Sequence, residues 1–205
     1  MPVHADWQTL AAEPLRFVAP AAVRACLDDG LSETDARALL DLPRFQPRLL
    51  ARLHEVHGLA PLPEVLPDGS LDLDIVLLDA RQLASLPLIC GALWHALALS
   101  REIRRDAVQQ LRHQLGDEVF SFAIGQRDRT VASDCLLEGE RLRAAIEYDG
   151  QACTRAWLQT LPEPLRRWLA LRWPAWIGSS EEQPAARLDC LYRAARWLHE
   201  SEVLA

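Results

Sequence analysis

From residue 82 to 100 the chain reads QLASLPLICGALWHALALS, nineteen positions without an Asp, Glu, Lys or Arg. Apolar side chains point in every direction around such a segment if it is helical, so other elements must surround it. The apolar run 86–99 is too long for an ordinary strand. Pro87 fits a first helical turn behind a Ser85 cap, which predicts a central buried helix over 86–99. Gly91 would admit a close neighbour, and His95 is expected to be a hydrogen-bonded core residue. Helices over 101–115, 135–161 and 185–198 are expected to enclose it.

The flanking pattern is also helical. PAAVRACLDD (20–29) starts with Pro and is followed by Gly30. Ser32 with Asp35 resembles a capping box ahead of a helix that ends at Pro43. QPRLLARLHEV predicts a third helix with Leu49, Leu50, Leu53 and Val56 on one face and Gly58 as its stop. Residues 58–70 hold three prolines and a Pro-Asp-Gly turn, the clearest irregular connection. LDLDIVLLD alternates apolar and acidic residues, so 71–77 fits a short strand or hairpin, or a helix entering the central segment. The alternation puts Asp72 and Asp74 on an outer face. Ser100 is read as the cap of REIRRDAVQQLRHQL, whose apolar arc holds Ile103, Ala107, Val108, Leu111 and Leu115, with Arg104 semi-buried inside it. Arg101, Arg105 and Arg112 form a basic stripe on its flank. DEVFSFAI should stop at Gly125. The long helix over 135–161 has a weak point at Gly150, and two more helices follow between Pro164 and Pro174 and over 185–198. The fold expected is all-α or nearly all-α: one helical domain (1–205) with a small N-terminal lobe (1–58), a proline-rich connection (58–70) and a main lobe (71–205).

Composition narrows the function. The 22 basic residues are all arginine, and lysine and asparagine are absent, which points to a GC-rich bacterial genome. A net charge of −7 and a pI near 5.4 argue against a general binder of nucleic acid or anionic membrane. Cys26, Cys90, Cys135, Cys153 and Cys190 are widely spaced in apolar helical context and read as reduced core thiols, with no obligatory disulfide. The opening MPVHADWQTL lacks a basic region followed by an apolar run, so no secretory signal is expected there and the compartment should be cytoplasmic. His54 and His57, at i and i+3, have no further ligand nearby in sequence and read as helix-end histidines, so neither a metal nor a cofactor is expected. No GxxxxGK[ST], GxGxxG, GxSxG or HExxH occurs, and no nucleophile is placed with a base. Four of the seven tryptophans, Trp168, Trp173, Trp176 and Trp197, lie in the last third, as core or as partner anchors.

Three segments in order resemble the SctK/YscK family of bacterial type III secretion: LRFVAPAAV (15–23), ICGALWHALALSREIRRDAV (89–108) and GQACTRAWLQTLPEPLRRWLALRWP (150–174). The resemblance implies a non-catalytic adaptor of the cytoplasmic sorting platform. Its partners would be the cytoplasmic domain of the inner-membrane ring protein and the pod protein, and through the latter the stator of the export ATPase. It would sit peripherally at the cytoplasmic face of the inner membrane, without insertion. The stripe of Arg101, Arg105 and Arg112 is then a candidate docking surface for an acidic partner face. A membrane-inserted accessory protein and a helical enzyme of another family are the competing readings.

Overall fold

The computed structural model describes residues 12–27, 30–65, 70–130, 137, 139–173 and 184–203. Cys135, Trp7, Trp176 and the Pro67-Asp68-Gly69 turn lie outside them. The described residues form eleven α-helices and three short 3-10 turns with no strand, so the protein is all-α. The helices are α1 (Pro20–Leu27), α2 (Glu33–Asp41), α3 (Gln46–His57), α4 (Ser70–Leu77), α5 (Ala80–Trp94), α6 (Ala96–Arg101), α7 (Arg105–Leu115), α8 (Asp117–Gly125), α9 (Gly139–Thr160), α10 (Glu163–Arg172) and α11 (Pro184–Val203). Among the described residues no helix is long and apolar enough to cross a membrane.

The chain clusters into two units. The first takes residues 1–77 together with 159–177, the second 78–158 together with 178–205.

In the first unit α10 supplies the centre. Leu165, Trp168 and Leu169 are fully buried, and Pro164 in its first turn costs no intrahelical bond. Trp168 donates its indole N–H to the Ala60 carbonyl at 2.7 Å, and the His54 ring meets it edge-on at 5.6 Å. The Ala19 N–H bonds the Leu171 carbonyl at 2.9 Å, and Arg167 reaches the Gly58 carbonyl at 2.8 Å. Ser32 caps α2 by accepting from Asp35 N–H, and Gly58 ends α3 in the left-handed conformation (φ 57°), both as the residue types predict. Leu49 and Leu53 are buried as expected, but Val56 is exposed and lies off the core face. The strand option at 71–77 is replaced by α4. Ile75 and Val76 are consecutive and both fully buried, whereas a strand would turn one of them outward.

In the second unit the charge-free segment is buried as expected, with different ends. Its helix begins six residues before 86, at a capping box in which Asp79 accepts from Gln82 N–H (2.7 Å) and Gln82 Oε1 accepts from Asp79 N–H (2.8 Å). Pro87 therefore sits inside α5, and Ser85 donates to the Gln82 carbonyl instead of capping. Around α5 and α6 pack Leu111 and Leu115 of α7, Phe120 and Ala123 of α8, and Leu142 and Ile146 of α9. Gly150 does not split α9. A Cβ built there would lie 1.9 Å from the Pro87 carbonyl oxygen, and one on Gly91 would lie 1.9 Å from that of Ile146. The two glycines are thus reciprocal contact points at which the backbones of α5 and α9 touch.

The helix read over 101–115 is broken. Residues 102–104 leave helical conformation, and α7 starts at Arg105. Ile103, read as core, is 89% exposed, and Arg104, read as semi-buried, has an exposed side chain. The cause is local. Glu102 accepts from the Arg104 backbone N–H (3.0 Å) and from its guanidinium at Nε (2.9 Å) and Nη2 (2.7 Å), a bidentate clamp that holds the turn extended.

Candidate functional site

The polar centre of the second unit is built on His95. Leu97 N–H, which in a continuous helix would bond the Leu93 carbonyl, instead donates to Thr130 Oγ1 at 3.0 Å, and that hydroxyl donates on to Leu93 O at 3.5 Å. A side chain inserted into the ladder is a recognised cause of a helix break, and here it separates α5 from α6. His95, the residue at the break, is buried and donates from Nε2 to Asp149 Oδ2 at 2.9 Å. Arg187 of α11 meets Asp149 Oδ1 through Nη1 (3.2 Å) and Nη2 (3.1 Å), bonds the Asp149 carbonyl (3.2 Å), and lies over the Trp94 ring at 4.5 Å. Burial by itself pushes the Asp149 carboxyl up, and the bonds from His95 and Arg187 more than offset it, leaving it below the usual Asp range.

Three thiols lie beside this group. Burial, then the neighbouring Cys153, raises the Cys90 thiol, while the bond from Cys90 and the nearby Arg187 lower Cys153. Burial pushes Cys190 up to about 12. Cys26, Cys90, Cys153 and Cys190 are all free and buried. His95, Asp149 and Arg187 thus tie together the α5–α6 junction, α9 and α11. Sequence reasoning placed His95 in the core but missed Asp149 and Arg187. The signal available was that a buried imidazole needs a partner.

His54 and His57 point to separate partners. His54 Nδ1 meets the Leu59 carbonyl at 3.0 Å, and His57 Nε2 lies 3.0 Å from the Cys26 sulfur, with burial lowering the His57 pKa. Among the described residues no group of three or more His, Cys, Asp or Glu is placed to hold a metal.

The arginine stripe is divided by the break. Arg101 ends α6, whereas Arg105 and Arg112 share α7 two turns apart. Arg112 bonds Asp117 Oδ1 at 3.1 Å and lies over the Phe120 ring. Arg101 and Arg105 flank the exposed Ile103, with Arg104 between them. In the first unit a small cleft of about 140 Å³ is lined by Leu27, Leu39, Phe45, Arg48 and Leu49. A larger groove of about 630 Å³ runs from Leu15 and Val18 to Leu40 and Leu50, with Glu13, Arg16, Arg37 and Asp41 also lining it.

No family model matches the chain, and no solved structure matches it. It is 28% identical over 175 residues to the nodulation protein NolU of Rhizobium fredii, covering 83% of this chain and 76% of that protein. The nodulation protein NolU of Sinorhizobium fredii (strain NBRC 101917 / NGR234) matches with the same identity and coverage.

Proposed function

We propose that this chain is a non-enzymatic adaptor of a bacterial type III secretion sorting platform, joining the cytoplasmic domain of the inner-membrane ring protein to the pod protein and through it to the ATPase stator. The observation that carries the reading is the ordered set of three segments resembling the SctK/YscK family. Each coincides with elements that build a core: the first with the opening 3-10 turn and α1, the second with α5 to α7 around the His95 break, the third with α9 and α10. Similarity to a nodulation protein supports a role in bacterial dealings with a host. An all-helical scaffold whose His95, Asp149 and Arg187 cluster holds helices together supports a structural role.

In this reading Arg101, Arg105 and Arg112 contact carboxylates of a partner. Reversing all three to Glu should leave the helical spectrum intact and weaken binding to the ring-protein domain or the pod protein at least about tenfold, about 1.4 kcal/mol. Purified partners in a binding titration decide it. Failure of the wild-type chain to bind either one removes the adaptor reading.

A further inference from the structure

The geometry points to Ile103 as the anchor of a docking knob that inserts into an apolar pocket ringed by carboxylates on a partner protein; the inference rests on the adaptor reading and names the surface. A side chain 89% exposed takes almost no part in this fold. Yet the residues on either side of it are joined. Glu102 holds Arg104 through three bonds on the far side of Ile103, so the turn is braced and binding has less ordering to supply.

The surroundings define the partner. Within residues 101–105 three arginines stand against one glutamate, on a chain of net charge −7. A basic collar around an apolar tip is complementary to an apolar pocket with an acidic rim, and arginine forms planar paired contacts with carboxylates there. The described clefts of a second copy of this chain do not supply an acidic rim: Arg48 is the charged residue lining the Leu27, Leu39, Phe45 and Leu49 cleft, and in the larger Leu15 to Leu50 groove Glu13 and Asp41 are matched by Arg16 and Arg37, with Glu13 paired to Arg16. One isoleucine on a net acidic protein is likewise a poor anchor for an anionic bilayer, which would repel most of the remaining surface.

The test uses the full chain, with the purified cytoplasmic domain of the ring protein and the purified pod protein as probes. Ile103→Ser should weaken binding to one of them ten- to hundredfold, while Ile103→Leu binds within about threefold of wild type and both variants keep the wild-type helical spectrum and melting temperature. Arg101→Glu/Arg105→Glu should slow association and flatten its salt dependence. If wild type binds and Ile103→Ser binds equally well, the knob is refuted and the adaptor reading stands. If wild type binds neither probe, the adaptor reading falls and this inference with it. Sedimentation showing a dimer that Ile103→Ser dissolves, or pelleting with anionic phospholipid vesicles that Ile103→Ser abolishes, would overturn the assignment in favour of a second copy or a lipid surface.

Discussion

Replacing Asp149 by Ala removes the carboxylate that accepts from both His95 and Arg187. The Arg187 side chain is 5% exposed, so its buried guanidinium would lose both of its bonds to that carboxylate. Breaking a buried pair from one side costs about 3–5 kcal/mol, a large part of the roughly 5–15 kcal/mol that stabilises a typical domain. With a urea m-value of about 2 kcal/mol/M, the midpoint should fall by about 1.5–2.5 M. Asp149→Asn keeps an acceptor without the charge and should lose less, about 1.5–3 kcal/mol. Asp149→Leu/Arg187→Met removes both charges and should recover most of the stability, because it is the unpaired partner that is costly. The pH dependence follows from the depressed carboxyl. Asp149 is held below the unfolded value of about 3.9, so its contribution is fully present above about pH 5 and is lost as pH falls through the folded pKa. The gap between wild type and Asp149→Asn should therefore narrow as the pH falls from 6 towards 3. Urea titrations followed by far-UV circular dichroism measure all of this. A loss under about 1 kcal/mol for Asp149→Ala at pH 7 would refute the reasoning, since it would mean that Arg187 finds water or another partner at no cost.

Other substitutions separate the remaining ideas. Thr130→Val takes away the hydroxyl that serves Leu97 N–H and Leu93 O, and should cost about 1–3 kcal/mol in a urea titration; an unchanged midpoint would mean that α5 and α6 rejoin without it. Gly150→Ala should lower the urea midpoint despite better helix propensity, because its Cβ meets the Pro87 carbonyl, whereas Gly125→Ala, which faces open space, should be neutral or stabilising; equal behaviour of the two would refute the close crossing. In native protein Cys90, Cys153 and Cys190 should resist alkylation and become reactive together on unfolding, and mass mapping of early modification at any of them would contradict their burial. Arg104→Ala, at an exposed position, should change stability by less than about 1 kcal/mol in the same titration, and a larger loss would show that the Glu102 clamp holds more than its own turn.

The helical class was legible in the sequence except at 71–77, because the other amphipathic stretches carry their own period and punctuation. Ser32, Gly58 and Pro164 act through backbone bonds within a few residues of themselves, so their effects are legible locally. The burial of 86–99 was legible too, since a charge-free run that long has few other places to go. Tertiary structure decided what depended on distant partners. Whether Gly150 breaks a helix or seats one turned on Pro87, sixty-three positions away. Where the central helix breaks was set by Thr130, and why His95 is tolerated there by Asp149 and Arg187. Period alone put Ile103 in an apolar arc, but the Glu102 and Arg104 clamp ended the helix and turned that side chain out to solvent. Hydrophobic pattern records how a residue would face if its helix continued; only the bonds made across the fold determine whether it does.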